Sequence, residues 1–382
     1  MSSNDVKLVR FGIMGCAGIA RKVSRAITLS PNATLYAISS RSFEKAQQFA
    51  IKNGLPNSVK LYGSYNELLD DDHVDVVYMP LPTSLHVKWA TLAAERKKHV
   101  LLEKPTALCV ADLDVILEAC EANGVQFMDG SMWYHHPRTG KMKELLDDSK
   151  LFGQVKNINS SSSFIAPEGF FENDIRVKPD LDALGALGDA GWYCLGAILW
   201  AMNQKLPTTV TALPAIERNA AGVIMSCSAS FHWEEDGTIA TFYCSFYAHE
   251  TMDLATSCSN GTMHFHDFII PFQEQSARFS YTSDAKFADL HVGWNMKPQE
   301  VELASPLPQE AMMIQEFARL VENIRSGVGK PDSKWPQTSR ATQLVLDAVR
   351  TSIELGFQPV RIFDQMEYGW TNLNVDGAVA GT

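Results

Sequence analysis

Phe11 to Lys22 reads FGIMGCAGIARK, and this stretch decides the architecture. Apolar residues lead up to Met14, the small residues Gly15, Ala17 and Gly18 follow, and from Ile19 the apolar spacing becomes helical. Small residues between a strand and a helix let the chain turn sharply, and they leave the first helical N–H groups free to face an anion. Counted from Gly15, the second glycine of the usual dinucleotide fingerprint G-x-G-x-x-G/A is Ala17 and the third position is Ala20, so the approach of a pyrophosphate must tolerate a methyl group. Gly15, Cys16, Ala17, Gly18 and Ile19 are therefore expected to cradle a dinucleotide, with a plain tight connection as the competing reading.

Working outward, strands are expected at Val9–Met14, Ala33–Ser39 and in VDVVYMP, KHVLLEKP and VQFMDGSMW. Helices are expected at Ile19–Leu29, at Ser42–Asn53 behind a serine cap, and in LHVKWATLAAER and VADLDVILEACEANG. Strands that are apolar on consecutive positions and joined by helices imply a parallel sheet covered on both faces, a doubly wound α/β domain. Where the second strand ends, a site preferring NAD would place an acid. Here Ser40, Arg41 and Ser42 offer hydroxyls and a fixed positive fork, which suit a 2′-phosphate, so NADP(H) is the expected cofactor.

Beyond residue 150 the pattern changes. KNINSSSSF, TVTALPAI, IMSCSASFHW, TIATFYCSFY and ARFSYTS alternate apolar and polar residues between turn formers, which indicates a mainly antiparallel open sheet within an α+β domain. Two late helices are expected in QEAMMIQEFARLVENIRSG and SRATQLVLDAVRTSIELG. The expected division is a Rossmann-type domain at 1–133, a substrate-binding and oligomerisation domain at 134–365 whose late helices pack back on the first, and a mobile tail at 366–382.

Composition narrows the function classes. With 382 residues, 46% hydrophobic and 20% charged, the chain has material for two cores. A net charge of −11 speaks against a nucleic-acid or anionic-membrane surface. No apolar stretch approaches the roughly 20 residues of a membrane span. Seven cysteines without paired spacing favour a reducing compartment, so a cytoplasmic protein is expected. The histidines in FHW and HFHD lack a third placed ligand, and no metal is expected.

Val100–Leu108 reads VLLEKPTAL, an apolar strand that ends on Glu103, Lys104 and Pro105. In an open α/β sheet this carboxyl end faces the ligand crevice. Pro105 stops the strand, and Lys104 can reach a substrate oxygen or relay its proton unless it merely snorkels at the strand end. Glu103, counted with the cofactor-binding residues of this edge, points the other way by strand alternation and is expected to partner backbone or an arginine.

GIMGCAGIA, SSRSFEKA, YMPLPTSLH and LLEKP, in that order, followed by LGALGDAGWYCLGAI, resemble the Gfo/Idh/MocA oxidoreductase family over nearly the whole chain. Within it the closest resemblance is to the branch of dimeric dihydrodiol dehydrogenase and NADP-dependent xylose dehydrogenase. The resemblance implies a cofactor-lining loop at Pro82, Thr83 and His86, though His86 also suits capping or packing. It maps a second catalytic motif, Asp-x-Gly-x-His, onto Asp189, Gly191 and Tyr193, with tyrosine in place of histidine. In that branch tyrosine and lysine share the proton work. A tyrosine titrates near pH ~10, so Tyr193 needs a cation such as Lys104, while Asp189 orients substrate or lysine. Trp133, Tyr134 and Arg176 are expected to face the substrate.

The activity implied is hydride transfer between NADP(H) and a carbinol or carbonyl carbon of a sugar, polyol, dihydrodiol or specialised metabolite, in a homodimer joined through the C-terminal sheet. Redox-neutral elimination or epimerisation with retained cofactor, and a non-catalytic NADP-binding sensor, are the competing expectations.

Overall fold

The computed structural model describes residues 8–289 and 293–362, so the expected tail at 366–382 lies outside the described residues. The first half alternates β1 (Val9–Met14), α1 (Gly18–Leu29), β2 (Ala33–Ser39), α2 (Phe43–Lys52), β3 (Lys60–Tyr62), α3 (Tyr65–Asp70), β4 (Val76–Met79), α4 (His86–Glu95), β5 (His99–Leu102), α5 (Val110–Asn123) and β6 (Phe127–Asp129). Then follow α6 (Pro137–Leu146), β7 (Val155–Ile165), α7 (Phe170–Asn173), α8 (Trp192–Ala201), β8 (Thr209–Ala212), β9 (Glu217–Arg218), β10 (Ile224–Trp233), β11 (Thr238–Ser245), β12 (Tyr247–Cys258), β13 (Gly261–Phe265), β14 (Ser276–Ser283), β15 (Phe287–Asp289), β16 (Gly293–Trp294) and β17 (Gln299–Ala304). The chain closes with α9 (Gln309–Arg325), α10 (Lys334–Glu354) and β18 (Val360–Arg361).

Contacts divide the chain into two compact units. The first comprises Met1–Leu108, Asp112–Pro137 and Ala304–Ser339, and the second Cys109–Ala111, Arg138–Leu303 and Arg340–Thr382. Tyr134 to Pro137 and α9 thus belong to the first unit, and α10 starts in the first and continues in the second.

The first unit is built on a six-stranded sheet ordered β3-β2-β1-β4-β5-β6, and its strand pairs are parallel. Alternation sends Phe11, Ile13, Val76, Tyr78 and Leu101 to one face and Met14, Val77, Met79, Val100 and Leu102 to the other, all fully buried. Right-handed crossovers explain the covering. Winding outward from β1 to β3 lays α1 on one face, and winding back through β4 to β6 lays α3, α4 and α5 on the other. α9 packs on the same face beside α1, with Ile314, Phe317, Ala318 and Val321 on one helical stripe, and it meets β1, β2 and the turn at Met132–His135.

The second unit holds a ten-stranded sheet ordered β17-β14-β13-β12-β7-β11-β10-β8-β18, with β9 on β10. The pairing is mostly antiparallel, as the alternation implies, but β7 and β11 run parallel. α8, apolar on every side, is buried along its whole length. Two sequence expectations are corrected. The strand read through VQFMDGSMW stops at Asp129, because the Asp129 carboxylate accepts a hydrogen bond from the Ser131 N–H at 2.7 Å and turns the chain into a 3₁₀ turn at Met132–His135. His135 and His136, adjacent in the sequence and expected to face opposite ways if on a strand, instead lie at the end of this turn. α6 and β3 are elements the pattern reading did not delimit.

No helix among the described residues is long and apolar enough to cross a membrane.

Candidate functional site

The carboxyl ends of β1, β2, β4 and β5 lie along one edge of the first unit's sheet. At β1, Gly15 has a φ of +116°, a conformation that a side chain would strain, and its N–H donates to the Ser39 carbonyl at 2.9 Å. The turn then delivers Ala17 as the residue before α1, with no side-chain cap on the helix. The first N–H groups of α1 are thus left for another acceptor. A Cβ at Gly18 would meet nothing within 4 Å, so the space before this helix end is open. Cys16 sits beside the Ser40 side chain, and burial pushes its thiol pKa up despite that hydroxyl and the charge of Lys45.

At the end of β2, Ser39 turns its hydroxyl back to the Ile13 carbonyl and Ser40 is buried. Arg41 is exposed, and its charge acts on the Tyr65 phenol. Ser42 caps α2 by accepting from the Lys45 N–H at 3.3 Å, which engages its hydroxyl within the protein.

After β4, Pro82 accepts the Leu85 N–H through its carbonyl and Thr83 is buried. The His86 ring is buried too, with Nε2 2.9 Å from the Leu81 carbonyl and Nδ1 3.0 Å from the Thr106 carbonyl. It ties the loop after β4 to the loop after β5, two residues from Lys104. β5 stops at Leu102, and the Lys104–Pro105 peptide bond is cis. Glu103 is buried with its carboxyl against the Tyr78 hydroxyl and the Lys104 N–H, so its partners are a tyrosine and backbone rather than an arginine. Burial raises its pKa, opposed by Tyr78 and by the charge of Lys104. The same lysine charge acts on Asp129, a buried carboxyl also raised by burial and bonded to Ser131 and Ser339. The charge of half-buried Lys104 thus acts on two buried carboxyls.

Trp133 is almost fully buried and stacks on Tyr134, with ring centroids 4.0 Å apart. Tyr134 in turn meets Trp335 edge-on at 6.0 Å. Tyr134 lines a cavity that includes Asn32, at the opposite end of β2 from Ser39.

In the second unit, Leu187–Gly191 forms a π-helical turn that runs directly into α8. Such turns widen the helix and recur at functional sites. Asp189 and Tyr193 are four residues apart across it, which puts them on one side of the helix. Gly185 secures the approach: its φ is +58°, and a Cβ there would lie 2.0 Å from the Ile224 carbonyl oxygen. Asp189 pairs with Arg176 at 3.0 Å, and Arg176 also reaches Asp174 at 3.1 Å. The Asp189 charge first, then Asp174, holds the guanidinium pKa above its usual range. The pairing of Arg176 with Asp189 was not legible from the motifs, since spacing along the chain carries no signal for it.

A parallel sheet ordered 3-2-1-4-5-6, with an uncapped helix at the β1 turn, defines a dinucleotide-binding Rossmann unit. Residues 9–131 match the oxidoreductase family with an NAD-binding Rossmann fold, and residues 139–264 match the GFO/IDH/MocA C-terminal domain. The chain belongs to the Gfo/Idh/MocA oxidoreductase family. It is 30% identical to the NADP-dependent D-xylose 1-dehydrogenase 2 of Haloferax volcanii, over 91% of this chain and 98% of that protein. It is 28% identical to the trans-1,2-dihydrobenzene-1,2-diol dehydrogenase of Danio rerio, over 53% of this chain and 59% of that protein. Among solved structures, a 3-ketoreductase from Actinomadura kijaniata in complex with NADP and TDP-benzene has a TM-score of 0.75 at 24% identity, covering 90% of this chain and 97% of that one, a likeness of fold.

Proposed function

We propose that the protein is an NADP(H)-dependent oxidoreductase acting on a CH–OH or carbonyl carbon of a sugar or related polyhydroxylated compound. The observation that carries this reading is the single sheet edge where the uncapped α1 terminus opens onto free space and Lys104 stands two strands away, about 10 Å across the sheet. The residues present fit a dinucleotide: Gly15 lets the backbone turn, Gly18 leaves room, α1 offers N–H groups, and exposed Arg41 can fork a 2′-phosphate. The NADP-dependent relatives support the same cofactor. NADP(H) supplies hydride exchange with carbon.

The chain's own residues handle the rest. Cys16, Ala17 and Ile19 shape the turn, while His86 and Pro82 fix the neighbouring loop. Tyr193 exchanges a proton with the substrate oxygen, and Lys104 stabilises the phenolate and orients that oxygen. A tyrosine alone titrates near pH ~10, so the two groups work as one coupled acid–base pair. Arg176, its charge balanced by Asp189 and Asp174, positions substrate hydroxyls. A second copy of the chain is the partner inferred for the outer sheet face, where Ile239 and Tyr243 of β11 are exposed on the same side as Thr241, which lies between them opposite exposed Asn159 of β7. Sedimentation velocity tests that assembly.

The deciding experiment incubates the protein with NADPH deuterated at nicotinamide C4 and a panel of aldoses, ketoses and keto-sugar nucleotides, with mass spectrometry of the products. A product that gains deuterium is expected. Tight NADPH binding with no transfer from NADPH, and none to NADP⁺ from the corresponding deuterated alcohols, would reject the redox reading.

A further inference from the structure

Away from the strand-end residues, the first unit contains a cavity of about 400 Å³. Its walls are Asn32, just before β2; Tyr134 and His135, after β6; Met312 and Arg319 on α9; and Trp335 in the first turn of α10. β2 is seven residues long, so Asn32 stands about 20 Å from Ser39 and the cofactor edge.

Two buried polar atoms in this wall have no hydrogen-bond partner among the described residues: Asn32 Oδ1 and His135 Nε2. Native proteins seldom leave such atoms unpaired, and here the two residues that carry them are neighbours in the wall of one cavity. Both are held in place. Asn32 Nδ2 donates to the Gln315 carbonyl at 2.9 Å, which orients Oδ1 as an acceptor. The His135 ring stacks on Trp335 with centroids 4.7 Å apart. Burial first, then the charge of Lys334, pushes the His135 pKa down to about 3, so the imidazole is neutral at physiological pH.

The chemistry of the occupant follows. Asn32 Oδ1 requires a donor, and a neutral imidazole nitrogen pairs with a group that donates or accepts. A hydroxyl does both. The cations at the rim are already engaged: Glu316 forks Arg319 at 2.7 and 2.8 Å, and the Lys334 ammonium lies 4.5 Å from the centre of the Trp335 ring. The volume lies in the range of small-molecule sites and exceeds that of a few waters. We propose that this cavity binds a small neutral polyhydroxylated molecule, a monosaccharide or polyol, through Asn32 and His135, at a site separate from the cofactor edge. The site requires neither NADP(H) nor turnover.

Met312 provides a local reporter. The intact protein, labelled with ¹³C at its methionine methyls and assigned with Met312→Leu, is titrated with D-glucose and with sorbitol. The Met312 methyl is expected to shift saturably, with a dissociation constant on the order of 1–10 mM. Saturating NADP⁺ and the Lys104→Ala substitution should leave that shift intact. His135→Phe keeps a stacked ring but removes Nε2, and should weaken binding about tenfold while the other methionine methyls stay in place. Asn32→Ala should do the same. A stationary Met312 methyl, a shift equal in wild type and His135→Phe, or a shift abolished by Lys104→Ala would each overturn the proposal. The first of these leaves water as the occupant.

Discussion

Gly18→Ala separates the folding role of the glycine turn from its binding role. Gly18 opens α1, its φ lies outside the left-handed region, and a Cβ there meets no atom within 4 Å. The added methyl therefore costs the free protein nothing sterically, and alanine exceeds glycine in helix propensity by up to about 1 kcal/mol, so the apo melting temperature should hold or rise slightly. The same methyl stands in the open space before the uncapped helix end, where a pyrophosphate must approach closely. Overpacking against a bound group costs about 1–3 kcal/mol, a loss of about 5-fold to 150-fold in NADPH affinity. Thermal melts of the apo protein and calorimetric titration with NADPH measure the two effects. Gly15→Ala is the contrasting variant: a φ of +116° and Leu81 Cδ2 only 3.0 Å from the new Cβ predict a stability loss of about 1–3 kcal/mol even without cofactor. Unchanged NADPH affinity in Gly18→Ala would refute the placement of the pyrophosphate at this helix end.

Other outcomes follow from individual residues. Arg41→Ala should weaken NADPH by about tenfold or more and NADH little, since only the former carries the 2′-phosphate; equal losses would remove Arg41 from that role. Lys104→Met and Tyr193→Phe should each cut kcat by about 10²–10⁴ while NADPH still binds, as fluorescence titration can check. His86→Phe removes both ring contacts, at 2.9 and 3.0 Å, and leaves the buried carbonyl served by the ring N–H short of a partner, so stability should fall by about 1–3 kcal/mol and kcat with it. An unchanged melting temperature would show that the ring braces nothing. Burial pushes the Asp75 pKa up, but the Arg10 hydrogen bonds and the charges of Arg10 and Arg325 outweigh it, so the net pKa is lowered. Its stabilisation is complete above about pH 4 and is lost as pH falls through the folded value. Asp75→Asn should therefore melt earlier at pH 7 and converge with wild type in acid; a gap that persists undiminished at low pH would contradict this.

Much of the fold was written locally. The apolar run into Gly15, the serine before α2 and the proline after Lys104 act through backbone conformation and nearest neighbours, and they placed β1, α2 and the end of the fourth apolar strand close to where the structure has them. The parallel β7–β11 pair was hidden, since alternation looks the same in either strand direction. The early stop of β6 was hidden as well: an aspartate side chain bonding the backbone two residues on overrode a run of good strand formers.

What the sequence by itself determined was the doubly wound first half, the tight turn at Gly15–Ile19 between β1 and α1, and the family to which these motifs belong. Only the tertiary structure decided that α9 packs beside α1 on the Rossmann sheet, that Tyr78 and not an arginine meets Glu103, that Arg176 balances Asp189, and that Tyr134 and His135 line a cavity with Asn32. Each of these joins residues far apart in the chain, and which distant groups meet is set by which surfaces must be buried together, a condition that no local pattern encodes.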